Sequence, residues 1–270
     1  MQINIRRFGS PTREMVGLLQ SPNPDRPQRA AFLMCRPFGQ EAIRTAPIFR
    51  AMSDRLSREG CTVLTFDHHG CGDSPGELDD QCIDDWAADT RAAQAQLLTD
   101  APGAPQHWFG MGLGANIASC AALMADPVPS CLVLWEPVLD GPAYLARLKT
   151  MHRHELAREM GMEWHQLVGR GREREPEIPG SVLGHPIGSR LRGELVEIGE
   201  PPLAALAALL QRGIKVVLVV PRNQRGAVDG LAQTGLVLQS IEDETNWMST
   251  EAFGTAIVPQ EVPRTLLATL

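Results

Sequence analysis

The stretch with the most chemical information is Gly110-Met-Gly-Leu-Gly114, which follows a short predicted strand and precedes a predicted helix. That setting is typical of the nucleophile elbow G-x-S-x-G, whose outer glycines permit a sharp turn and whose central serine attacks the substrate. The central residue here is Gly112. Glycine tolerates the strained backbone of an elbow but has no nucleophilic side chain. The pattern therefore predicts an elbow without a nucleophile.

A glycine-rich turn also binds the pyrophosphate of dinucleotides, which is the alternative interpretation of this motif. That function requires the turn in the first strand–helix unit and an acidic residue at the end of the next strand. Here the turn lies in the third such unit, and Glu136 matches the acidic position only in part. We expect no dinucleotide and no other cofactor.

The residues that would complete a serine triad are also missing at their expected places. The first carboxylate after the predicted strand ending at Val220 is Asp229, and no histidine follows His185. The residues that follow Ile241 include Glu242, Asp243, Glu244, Asn246 and Trp247. A serine nucleophile needs a base within hydrogen-bond reach, so the sequence predicts no Ser–His–Asp relay.

Two histidines are the candidates for any remaining acid–base chemistry. His68 and His69 follow the predicted strand Cys61–Phe66, and open α/β sheets bind ligands at such strand ends. The alternative is that they are turn histidines packed against their loop. Cys35 and Cys71 also lie near strand ends, but without a base or a positive neighbour we interpret them as inert thiols.

Composition excludes several classes of function. The chain has 270 residues, 43% of them apolar, and a formal net charge of −7, which does not favour a nucleic-acid partner. No stretch approaches the roughly 20 apolar residues of a membrane span, and the N-terminus does not have the pattern of a signal peptide. The six cysteines lack a CxxC pair and no histidines have i, i+4 spacing, so we expect a reduced, cytoplasmic protein without a metal.

Apolar runs that alternate with helical periodicity predict a parallel, doubly wound sheet. An antiparallel hairpin over Gln2–Arg7 and Met15–Leu19 precedes it. The predicted strands are Ala30–Cys35, Cys61–Phe66, His107–Phe109, Cys131–Trp135, Lys215–Val220 and Leu236–Ile241. The predicted helices are Thr45–Arg58, Ile83–Leu98, Leu113–Met124, Pro202–Gln211 and Val262–Leu270.

The alternation breaks between residues 141 and 200. This segment is rich in charged residues, glycine and proline and contains no predicted buried strand. Ala143–Met160 is helical in composition, and Gly169–Gly188 is predicted to be a loop. We interpret residues 141–200 as a cap inserted between two parts of one core, residues 1–140 and 201–270.

Two further motifs resemble the α/β-hydrolase family. Phe66–Ser74 is similar to the D-x-R-G-x-G-x-S-like turn of that family, although His69 stands where the family usually has arginine. Cys35–Gly39 matches the loop that gives one backbone N–H to the oxyanion hole. The resemblance implies an α/β-hydrolase fold with an oxyanion loop at Phe38 and Gly39 and a second donor at Leu113. Pro37 has no N–H to donate.

A narrower resemblance is to the hydrolase-like proteins associated with the exosortase A system, especially the second type. The motifs that carry it are Arg36–Glu41, Gly70–Ser74, Leu134–Val138 and Asn246–Glu251. The resemblance implies a bacterial protein whose relatives lie beside genes for exopolysaccharide production and protein sorting. It also implies that the central serine of the elbow is commonly absent.

Two functions remain open from the sequence. One is a non-catalytic hydrolase relative, a pseudoenzyme, that binds a small molecule or a protein partner in the crevice beneath the cap. The other is an esterase-, acyltransferase- or lyase-like enzyme that uses His68 or His69 instead of a serine. Geometry distinguishes them, because the second function needs a histidine beside Gly112.

Overall fold

The computed structural model describes residues 2–79, 81–168, 180–199, 202–229, 235–242, 247 and 260–270. The strands are β1 (Gln2–Ser10), β2 (Arg13–Ser21), β3 (Ala30–Cys35), β4 (Cys61–Asp67), β5 (Gln106–Met111), β6 (Cys131–Trp135), β7 (Ser181–Val182), β8 (His185–Pro186), β9 (Lys215–Pro221) and β10 (Val237–Ile241). The helices are α1 (Gly39–Arg58), α2 (Ile83–Asp100), α3 (Leu113–Leu123), α4 (Gly141–Met160), α5 (Trp164–Val168), α6 (Ser189–Glu197), α7 (Pro202–Gln211) and α8 (Glu261–Leu267).

Eight strands form one sheet in the order β1-β2-β4-β3-β5-β6-β9-β10. The β1–β2 and β2–β4 pairs are antiparallel, and the remaining pairs are parallel. The predicted α/β-hydrolase fold, with an N-terminal antiparallel hairpin on a parallel sheet, is confirmed.

The centre of the sheet is buried on both faces, which explains its continuous apolar runs. Every residue of β3, β5 and β6 is buried. Leu33 and Trp108 belong to the core on one face, and their chain neighbours Phe32 and Phe109 belong to the core on the other. This alternation follows from the two-residue period of a strand.

The sheet order sets the place of the site. The chain passes from β3 to β4 on one side and later returns to β5 on the other side of β3. The loops after β3 and β5 therefore diverge at a topological switch point, and the crevice outside the strand ends there is where such sheets bind ligands.

Helices α4 and α6, which lie between β6 and α7 in the chain, pack against the core helices. Tyr144 and Leu148 of α4 and Leu191 of α6 join one apolar cluster with Trp86 and Ile117 of the core helices. This packing holds α4 above the switch point. The assignment of residues 141–200 as an inserted cap stays a prediction.

The prediction of a loop without strands over Gly169–Gly188 is wrong in part. Residues 169–179 lie outside the described residues, but β7 and β8 form a short antiparallel hairpin. Its turn is Leu183-Gly184, and both residues have positive φ, 52° and 82°. Such turns usually contain Asn-Gly or Asp-Gly, so the sequence lacked the usual hairpin signal.

In the part of the chain that the structure describes, no helix is both long and apolar enough to span a bilayer.

The N-terminal hairpin is attached to α2 by a buried ion pair. Arg13 Nη2 lies 3.0 Å from Asp89 Oδ2, and the Asp89 side chain is fully buried. In the same hairpin, Arg7 and Glu14 form an exposed pair at 3.0 Å. Removing one partner of a buried pair leaves the other uncompensated, whereas exposed pairs contribute little.

We therefore expect Asp89→Asn to lower the free energy of unfolding by about 3 kcal/mol. Glu14→Gln should change it by no more than about 0.5 kcal/mol. Urea unfolding of the two variants and the parent measures both values. Equal losses would contradict the assigned role of Asp89.

Candidate functional site

The turn from β5 into α3 has the geometry of an elbow at Gly112. The residue has φ 55° and ψ −131°, its N–H donates to Trp135 O at 2.9 Å, and its carbonyl accepts from Ala115 N at 3.0 Å. Only glycine adopts a positive φ without a steric cost. The backbone thus makes the predicted sharp turn and directs no side chain into the crevice.

The outer glycines permit close packing around this turn. A Cβ at Gly110 would lie 2.6 Å from Cα of Ala115, and a Cβ at Gly114 would collide with the carbonyl of Arg36. The second contact shows that the loop after β3 is pressed against the start of α3. Both glycines are therefore required by the backbone approach.

A carboxyl group lies where the side chain of an elbow nucleophile would begin. Glu41 Oε2 is 3.0 Å from a Cβ built on Gly112, and the residue is only 6% exposed. Its Oε1 accepts a long, 3.4 Å hydrogen bond from Arg147, whereas Oε2 has no partner among the described residues. Burial raises the pKa of the Glu41 carboxyl to about 7, and the Arg147 guanidinium only partly opposes this shift.

Glu41, Gly112 and α4 line a crevice of about 380 Å³. Tyr144 and Arg147 project from one face of α4 because they are three positions apart, and the guanidinium lies 5.5 Å from the centre of the tyrosine ring. Burial, followed by the negative charge of Glu41, raises the pKa of the Tyr144 hydroxyl well above its ordinary value. The hydroxyl has no hydrogen-bond partner among the described residues.

Another wall comes from the residues that follow β6 and β9 and from Trp247. Trp247 packs edge-on against Trp135 with ring centres 5.6 Å apart, and its Nε1 also lacks a partner in the described part of the chain. Glu136 has φ 45°, an uncommon value for a residue with a side chain, and its carboxylate accepts from Trp135 Nε1 at 2.9 Å. Strain of this kind tends to accompany binding sites.

The structure provides no described acid or base at the expected triad positions. A short 3-10 helix follows β9, and Asp229 beyond it is exposed and paired with Arg225 at 3.3 Å. Glu242 after β10 is exposed and pairs with Arg222 at 2.9 Å. Asp243, Glu244 and Asn246 lie outside the described residues.

His68 and His69 are not brought to Gly112. His68 is buried, with its ring against Phe66 at 4.9 Å and its Nδ1 3.6 Å from Asp89 Oδ2. His69 is turned to the N-terminal hairpin, where its Nδ1 lies 3.1 Å from the carbonyl of Glu14. Neither lines the Gly112 crevice.

The predicted oxyanion loop lies beside the elbow. Cβ of Pro37 is 3.3 Å from a Cβ built on Gly112, and Leu113 is the buried first residue of α3. The Phe38 side chain points away from the crevice and packs on Trp86 with ring centres 5.7 Å apart. Gly39, at φ 63°, begins α1 and so directs Glu41 toward the elbow.

The thiols near the strand ends are not activated. Burial raises the pKa of both Cys35 and Cys71 to about 12, so both are protonated at neutral pH. Among the described residues, no group of histidine, cysteine and acidic side chains has the arrangement of a metal site.

The sequence patterns assign no role to Glu41, Tyr144, Arg147 or Trp247. Glu41 is only the last residue of the Arg36–Glu41 motif, and Tyr144 and Arg147 lie in the segment Ala143–Met160, which is helical in composition. Their meeting depends on the packing of α4 over the sheet, which joins residues more than 100 positions apart in the chain.

The family model described as serine aminopeptidase, S33 matches residues 28–171, more than half of the chain. No curated protein matches the sequence.

Several solved structures share the fold. A highly thermostable carboxyl esterase from Bacillus coagulans, in complex with glycerol, is 16% identical with a TM-score of 0.63, covering 100% of this chain and 98% of that one. A proline iminopeptidase from Mycobacterium smegmatis is 14% identical with a TM-score of 0.61, covering 98% and 97%. A serine hydrolase without a lid from Xanthomonas campestris is 14% identical with a TM-score of 0.58, covering 99% and 93%.

Gly112→Ser tests the geometry of the elbow. The serine would meet both the strained backbone and the Glu41 carboxyl, so we expect a loss of stability of roughly 1–3 kcal/mol. Gly103→Ser is the matched control, because Gly103 has φ 74° with nothing within 4 Å of a built Cβ. It should cost about 1 kcal/mol from backbone strain alone. Thermal unfolding measures the stability of both variants relative to the parent. A Gly112→Ser protein as stable as the parent would refute the placement of the elbow.

Glu41 also predicts a pH dependence of stability. Because its pKa is raised from 4.5 to about 7 in the folded protein, its stabilising contribution is complete below the unfolded value and is lost as pH rises through 7. Between about pH 5 and about pH 8, we expect the parent protein to lose on the order of 2–3 kcal/mol of its free energy of unfolding because of this group. Glu41→Gln should not show this loss. Glu242→Gln, at an exposed carboxyl, should leave the pH profile of the parent unchanged. Parallel profiles for the parent and Glu41→Gln would contradict the burial of this acid.

Proposed function

The chain belongs to the serine aminopeptidase S33 family, and from that premise we propose that it binds a small polar molecule in the Gly112 crevice and does not act as a serine hydrolase. In this proposal residues 141–200 form the cap that covers the bound molecule. The triad has been replaced by a binding site.

One observation carries the proposal, namely the position of Glu41 beside Gly112. Glu41 Oε2 lies 3.0 Å from a Cβ built on Gly112, so an elbow serine would have to push the buried acid aside by a few tenths of an ångström. No histidine follows His185 in the chain to activate such a serine. An unactivated hydroxyl is a weak nucleophile, so loss of the serine and loss of the base support the same conclusion.

The walls of the crevice indicate the chemistry of the ligand. Glu41 Oε2, the Tyr144 hydroxyl and Trp247 Nε1 all belong to residues that line it, and all three atoms are buried without a partner in the described residues. An unpaired buried polar group costs about 1–3 kcal/mol, so such groups are usually satisfied by a ligand or water. A molecule with both donors and acceptors, such as a compound with several hydroxyl groups, would satisfy this set.

The biological setting is part of the same proposal. The short motifs shared with exosortase A-associated hydrolases support a bacterial protein linked to exopolysaccharide production. All six cysteines are free, which supports a reducing, cytoplasmic location. A protein partner that brings or receives the ligand fits this setting.

A specific observation favours one second candidate, an enzyme with Glu41 as its acid–base group. Glu41 has an unpartnered oxygen at the elbow and a pKa of about 7, which suits proton transfer near neutral pH. The geometry favours Glu41 over His68 and His69 in this role, since neither histidine reaches the crevice.

We expect no labelling of the purified protein by serine-directed phosphonate probes and no hydrolysis of short aryl esters above background. Gly112→Ser should also remain inactive, because no histidine held by an acid is present to take the proton of the added hydroxyl. Activity in Gly112→Ser that disappears in the double variant with Glu41→Gln would show that Glu41 acts as the base. Activity in the parent that disappears in Glu41→Gln would establish the second candidate in place of the first.

The binding function makes a separate prediction for Tyr144. Tyr144→Phe removes a buried hydroxyl without a partner, so the ligand-free protein should gain about 1 kcal/mol of stability. The same variant should lose any small molecule that co-purifies with the parent, measured by native mass spectrometry. Ser119→Ala is the control, since its buried hydroxyl donates to Ala115 O at 2.8 Å and its removal should not stabilise. A destabilised Tyr144→Phe protein that retains the molecule would refute the role of the hydroxyl.

A further inference from the structure

A second cavity, of about 210 Å³, lies beneath the loop that follows β3. Its lining shares no residue with that of the Gly112 crevice. Most of its wall is apolar and comes from α1, α2, α3 and the end of β4. The larger apolar side chains that line it are Phe38, Ile43, Phe66, Leu78, Trp86 and Ile117.

Two donors in this wall have no acceptor among the described residues. They are Trp86 Nε1, on a residue only 1% exposed, and Arg36 Nε. Neither group can accept a hydrogen bond, so each is satisfied only by an acceptor from a ligand or water. His68, 8% exposed, adds an Nε2 without a partner to the same cavity.

The charges around the cavity are already balanced. Arg36 Nη1 lies 2.8 Å from Asp67 Oδ1, and Asp89 behind His68 is paired with Arg13. Arg36 is the one arginine or lysine among the described lining residues, and burial lowers the pKa of His185 in the same wall. An anionic ligand would therefore bring a charge that these residues do not compensate, and an unpaired buried charge is costly. The site therefore favours a neutral acceptor.

We propose that this second cavity binds an alkyl chain that ends in a neutral carbonyl group, as in a ketone, an ester or a thioester. The carbonyl oxygen accepts from Trp86 Nε1, and the chain contacts the apolar wall. A dry cavity of about 150 Å³ holds benzene, so this one has room for a group of about eight to ten non-hydrogen atoms. The proposal is independent of the function of the Gly112 crevice.

Three probes of similar length test the class of ligand: methyl hexyl ketone, octane and octanoate. We expect the ketone to bind the full-length protein about fivefold more tightly than octane, because it adds one neutral hydrogen bond. Octanoate should bind more weakly than the ketone because its charge loses water without compensation. Ligand-observed NMR titrations give the three affinities. Equal affinities for ketone and octane, or tightest binding of octanoate, would overturn the proposal.

Variants locate the binding. Ala42 lines the cavity from α1, so Ala42→Phe should fill it and abolish ketone binding. Ala46→Phe, one turn further along the same helix, should bind as the parent does. Trp86→Phe keeps an aromatic ring but removes the donor, so ketone affinity should fall to that of octane in the same variant.

Trp86→Phe tests the proposal even if Ala42→Phe does not fold, because it compares the affinities of ketone and octane for one and the same protein. Equal loss of ketone and octane in Trp86→Phe would show packing without recognition of the carbonyl. Tyr144→Phe should leave ketone binding unchanged, because Tyr144 lines the Gly112 crevice and not the second cavity. A negative result for ketone binding is therefore distinct from a negative result for ligand binding in the Gly112 crevice.

Discussion

At Gly112 the backbone turns from β5 into α3 with a positive φ, and the space beside its Cα is occupied by the Glu41 carboxyl. This contact relates two features that look independent in the sequence. A side chain at the elbow would force the acid to move, and the acid is held by the start of α1, which Gly39 turns toward the elbow. Because the acid is buried at this position, its pKa is raised to about 7.

Helix α4 makes that burial possible. It places Arg147 close enough to weaken the penalty on Glu41, yet the hydrogen bond is long at 3.4 Å and the guanidinium remains half exposed. Tyr144, one turn earlier, contributes an apolar ring to the crevice, while its hydroxyl has no partner among the described residues. The crevice is therefore held together by packing, and three of its buried polar atoms, on Glu41, Tyr144 and Trp247, are unsatisfied among the described residues. A ligand stabilises such an arrangement.

The sequence predicted the sheet well because its central strands are buried on both faces and appear as unbroken apolar runs. It placed the start of α1 too late, at Thr45 instead of Gly39, since Pro47 inside the helix and a polar first turn obscured the periodicity. Strand ends indicated the edge of the sheet at which the Gly112 crevice lies. They could not indicate on which side of a loop each residue falls, so both interpretations of His68 and His69 stayed open and Glu41 was missed.

The switch point explains why a crevice forms at an elbow whose central residue is Gly112. It arises from the strand order, in which β3 lies between β4 and β5, and this order depends on buried apolar strands and right-handed crossovers. None of those requirements involves a serine, an acid or a histidine. The chain can therefore keep the fold of a hydrolase family while the residues at the strand ends change, because the sheet positions the cavity and the side chains alone determine its chemistry.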